Sequence, residues 1–146
     1  MRRFLASGWF PLLMCLVLAG VTVAAFTLLH PTGEDVSNSD IVNAFRIAGW
    51  VAGPVVGLLS LVLIGTLNLL RRIVRLRKTP ILHPVVVLLG ILPWFVFSWA
   101  LLDEPRFTGF AIAAMEFVAR PMLWGSLVTV LLTIVLSLPL IFSKKK

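Results

Sequence analysis

Glu116 and Arg120 stand four residues apart, acid first. At that spacing a carboxylate and a guanidinium pair across one helix turn. Arg46 is the other isolated charge set among apolar neighbours. Ionisable groups at membrane depth are expensive and mark ion pathways or relays, so these three residues form a candidate charged site. At the headgroup level the same Glu116–Arg120 pair acts as an anchor instead, and both readings stand. His30 and His83 are each followed by proline and sit at opposite ends of apolar runs. A haem held by two imidazoles needs both on one macrocycle, so these two histidines cannot share one. His30, Glu34, Asp35, Asp40, Asp103 and Glu104 offer hard ligands of the kind that hold calcium, but solvated loop charge accounts for them equally. No metal or other cofactor is assigned. The chain also lacks HExxH, GxSxG and a Walker loop, the spacings that would carry metalloprotease, hydrolase or nucleotide chemistry. We expect no enzyme.

A different pattern speaks to packing. Gly49, Gly53 and Gly57 recur every fourth residue, with Gly65 further along the same stripe and Ser60 beside it. Glycines at this spacing make a flat groove that lets another membrane helix approach closely. Pro54 removes one backbone hydrogen bond beside the groove. The groove can receive a partner subunit, or another span of the same chain, for instance through Gly20 and Ala24.

The elements that must position these residues follow from composition. The 146 residues are 60% hydrophobic and 13% charged, against about 25% charged in a soluble domain. Four apolar stretches, 9–29, 47–70, 81–102 and 118–142, each suit a helix crossing about 30 Å of hydrocarbon. Ten of the thirteen Lys and Arg lie in three clusters: Arg2–Arg3; Arg71, Arg72, Arg75, Arg77 and Lys78; and Lys144 to Lys146. Five of the six carboxylates fall in the alternate gaps. Basic loops stay on the cytoplasmic side. The expected fold is therefore an all-α polytopic membrane protein, a single transmembrane domain over 1–146. It has four transmembrane helices in two hairpins, with N-in and C-in termini, most simply in a bacterial cell inner membrane. The net charge of +7 then orients the chain and meets anionic headgroups, with no nucleic acid as partner.

Finer expectations follow. The run from Trp9 to Leu29 reads as a retained signal-anchor rather than a cleaved signal, being longer than an h-region of about 7–15 residues. Cys15, the only cysteine, is a small packing residue. Ser37 to Asp40 supply N-cap acceptors, so the second helix starts before the membrane and carries Phe45 and Arg46 into it. Trp9, Trp50 and Trp99 lie near span ends, whereas Trp94 and Trp124 lie deeper and face other helices. From Phe107 to Pro121 the apolar spacing fits a short interfacial helix that bends at Pro121 into the fourth span. An ordinary start to a long fourth helix fits as well.

A weak repeat relates the two halves. Phe10-Pro11 and His83-Pro84 open the first and third spans, and Val51-Ala52-x-Pro54 is echoed by Val118-Ala119-x-Pro121. Parallel repeats of this kind occur in some transporters. The length and span number are similar to those of the small multidrug transporters. Their first span carries a glutamate and this one carries no acid, so the resemblance ends at length. Strong packing motifs without mid-membrane charge point to an accessory or scaffold subunit, held to other membrane proteins or to itself in the lipid bilayer through the second span's glycine face. The alternative is a small-solute or ion transporter or channel unit built on the hairpin repeat.

Overall fold

In hydrocarbon every backbone N–H and C=O must be satisfied within the protein, and a helix does this locally. The computed structural model describes residues 2–29, 39–74, 79–102 and 110–142, and all the regular structure in them is helical. A single turn, α1 (Arg2–Leu5), precedes α2 (Trp9–Leu28), α3 (Ser39–Ile73), α4 (Leu82–Leu102) and α5 (Phe110–Ile141). The four long helices are each apolar and long enough to cross a membrane. Pro11 and Pro84 occupy the third position of α2 and α4, inside a first turn whose N–H groups have no helical partner anyway. Proline at these places starts a helix instead of breaking it.

The α3 helix has 35 residues, about 52 Å at 1.5 Å per residue. It therefore extends past the hydrocarbon at both ends, and Arg46 is exposed on it. The α5 helix runs unbroken from Phe110 through Pro121. Residues 107–109 of the expected interfacial helix lie outside the described residues. Among those described, the helix is continuous from Phe110 into the fourth span, as an ordinary start to a long fourth helix would be. The physical reason is aromatic. The Phe117 ring lies 5.2 Å from that of Phe26 and 3.8 Å from that of Phe45, edge to face in both cases, and Pro121 is fully buried. The turn of α5 that carries Phe117 and Pro121 is thus packed against α2 and α3.

The four long helices form a square with unequal sides. The α2 helix lies along both α3 and α5, α4 lies along α5, and α3 meets α4 over the thinnest side. The core runs down the middle through Phe10, Met14, Leu18, Ile64, Val87, Ile91 and Met122. Leu5 of α1 joins it from the end where Arg3 stays exposed. Trp94 packs against this core, but Trp124 is 49% exposed and points outward, contrary to the expectation that it faces a helix.

Candidate functional site

Glycine places the backbones first. A methyl group added at Gly49 would lie 2.7 Å from Cβ of Phe26, and one at Gly57 2.9 Å from Cβ of Ala19. At Gly53 it would meet the Ala19 carbonyl oxygen at 2.7 Å and the Val23 side chain closer still. The groove is therefore filled by α2 of the same chain, through Cys15, Ala19, Val23 and Phe26. Of the two occupants expected, it is a span of the same chain, reached by other residues than Gly20 and Ala24. The groove is not open to another subunit, and Gly20 and Ala24 do not fill it. They lie on the outward side of α2 in line with Leu13 and Leu16, and nothing comes within 4 Å of a methyl built at Gly20. Gly65, the fourth glycine of the stripe, is likewise exposed with open space beside it.

Polar groups follow a second pattern. On α5, Thr129 Oγ1 donates to the Gly125 carbonyl, Thr133 to that of Thr129 and Ser137 to that of Thr133, at 2.7, 2.7 and 2.5 Å. Thr22 Oγ1 donates to the Leu18 carbonyl at 2.7 Å. These buried hydroxyls spend their protons on their own helices, which suits a packed seam more than a wet path. Pro54 and Pro93 face outward, so the carbonyls they release do not line an interior passage.

The α3–α4 side is different. Seven buried side-chain polar atoms have no hydrogen-bond partner among the described residues, and six of them belong to α3 or α4: Ser60 Oγ, Asn68 Oδ1, Arg71 Nε, Arg71 Nη1, His83 Nδ1 and Trp94 Nε1. The two helices run antiparallel in a register marked by Gly90 against Ile64. Seven residues along from these, Arg71 Nη2 lies 3.1 Å from His83 Nε2. Four residues the other way, the same register sets Ser60 level with Trp94. Among the described residues, unpaired polarity thus collects where helix packing is thinnest.

Of the expected charged site, Arg46 and Arg120 are described and the Glu116 side chain is not. Arg46 and Arg120 are both exposed near the Phe26–Phe45–Phe117 cluster, and Arg120 is not without a partner. The Glu116 side chain, His30, Glu34, Asp35, Asp103, Glu104 and the side chain of Asp40 lie outside the described residues. So does the Ser37–Asp40 cap, apart from the backbone of Ser39 and Asp40. Sequence reasoning passed over Arg71 and His83 as boundary residues. The signal was present in the stripe Ser60, Ile64, Asn68, Arg71, whose steps of four, four and three put polar groups on one helix face.

No family model, curated protein or solved structure matches this chain.

Proposed function

We propose that the protein is a non-catalytic accessory or scaffold subunit of the cell inner membrane, with both termini cytoplasmic. It assembles with another membrane protein, or with a second copy of itself, through the outward face of α2. The observation that carries this reading is the empty small-residue groove at Gly20 and Ala24. Lipid tails pack poorly into such a groove, whereas a second helix fills it with close contacts. The chain's other groove, at Gly49, Gly53 and Gly57, supports the reading by example, since it is closed in this way by α2.

Native mass spectrometry in mild detergent, with crosslinking in the membrane, tests the proposal. A complex heavier than the monomer is expected in the wild type, and Gly20→Leu should dissociate it while leaving the monomer folded. A wild-type monomer that crosslinks to nothing, or a complex unchanged by Gly20→Leu, would refute it. Solute flux above that of empty vesicles would favour the transporter or channel reading, for which the unpaired α3–α4 seam is the supporting feature.

A further inference from the structure

We infer that Arg71 and His83, with Asn68 one turn away, form a binding site for a phosphate group at the basic end of the α3–α4 seam. A guanidinium has only donors. In the 3.1 Å contact Arg71 Nη2 must therefore donate and His83 Nε2 must accept. The neutral ring then carries its proton on Nδ1, which becomes a donor. Arg71 Nε, Arg71 Nη1 and His83 Nδ1 are all buried without an acceptor. If the pair served only to tie α3 to α4, the single Nη2–Nε2 bond would suffice. The three unspent donors would then each lose their hydration with nothing in return, the charged group most of all. The arrangement makes sense with an anion present, one offering several acceptor oxygens.

Neighbouring groups agree with that choice. Along the chain the six carboxylates stand at 34, 35, 40, 103, 104 and 116, none within 19 residues of Arg71 or His83. Backbone N–H groups at the start of α4 are already spent, with Leu82 bonded to the Thr79 carbonyl, His83 to that of Pro80 and Val85 to that of Ile81. The ligand must therefore be held by side chains. Asn68 lies three residues before Arg71 on the same face and leaves its amide oxygen unpaired. By turning over, that amide presents an N–H where its oxygen now stands. The site stands where the apolar stretch of α3 ends at Leu70 and that of α4 begins, which is the level of lipid phosphates. Arginine favours phosphate for its several directed donors and weak hydration. A phospholipid headgroup and free inorganic phosphate present the same chemistry here.

The proposal is independent of the α2 groove, which lies on another helix face, and its readout is ligand retention instead of complex mass. Delipidated protein in a phosphate-free, non-ionic detergent is titrated with phosphatidylglycerol, with diacylglycerol of the same chains, and with inorganic phosphate. Native mass spectrometry reads the lipids and thermal shift reads the phosphate. We expect phosphatidylglycerol to be retained and diacylglycerol not. Arg71→Gln should lower retention about tenfold or more, the loss of one charge-assisted hydrogen bond, and Arg72→Gln should leave it unchanged. A shift with inorganic phosphate alone that vanishes in Arg71→Gln would assign the site to the free anion. If Arg71→Gln does not fold, His83→Ala keeps the charge but removes a donor, and should weaken retention several-fold. Equal losses in Arg71→Gln and Arg72→Gln would reduce the effect to diffuse headgroup attraction and overturn the site. Binding of neither phosphate source would overturn it too, as would a photocrosslinker at position 83 that captures a protein carboxylate instead of lipid.

Discussion

At position 53 the missing side chain is a structural requirement, and at position 65 it is not. A leucine at Gly53 must displace Val23 and the Ala19 carbonyl, which belongs to the backbone and cannot swing aside. Overpacking of this kind costs about 1–3 kcal/mol. Gly53→Leu is expected to lower the unfolding midpoint in detergent, and Gly65→Leu to leave it nearly unchanged. Equal midpoints would mean that α2 does not sit in the groove. Residue types announced the groove clearly, because glycine every fourth position has few other uses in a membrane helix. They did not announce its occupant. Gly20-x-x-x-Ala24 offers an equally small face, yet it points outward, since periodicity defines a face but not what lies opposite. Arg71 and His83 were obscure for a related reason. Each has an ordinary role at a membrane boundary, and only the antiparallel register of two helices brings them within 3.1 Å.

At the scale of the helix, apolar length was the most legible quantity. The first and third spans match α2 and α4 to within a residue, because charge or polar residues bound them on both sides. The other two helices begin earlier than their apolar cores, at Ser39 and Phe110. Hydropathy is silent about helix that continues into the interface, where packing decides, as the Phe117 ring shows. Proline is a second case in which position matters more than type. Pro54 lies inside α3 and faces outward, so its ring has little packing to lose. Replacing it restores an N–H donor to the Trp50 carbonyl. Pro54→Ala should therefore raise stability by about 0.5–1.5 kcal/mol, the net worth of one hydrogen bond, measured by thermal unfolding in detergent. A fall in stability would show that the ring is held by a contact the fold does not reveal.

Over the whole molecule, the charge pattern makes a prediction about sidedness. Arg71 and Arg72 share one end of the bundle with Arg3, and the positive-inside rule assigns that end to the cytoplasm. In a Cys15→Ala background, Ser37→Cys should react with an impermeant maleimide from outside intact cells. Ser143→Cys should react only after the membrane is opened. The reverse pattern would invert the topology without disturbing the helix count.

The unequal sides of the square also bear on how the chain is made. Helices α2 and α3 leave the ribosome first and hold the glycine groove and its filling between them, so this pair can lock while the rest is still being synthesised. The α4–α5 hairpin arrives as a second unit, tethered by the few residues between Ile73 and Leu82. That short link keeps the effective concentration of the late hairpin high, which matters because the face it must find on α3 is the weakest in the bundle. The α3–α4 joint closes only when the late hairpin docks and is the thinnest side to part under strain, and a phosphate bound beside the Arg71–His83 contact would act there as its clasp.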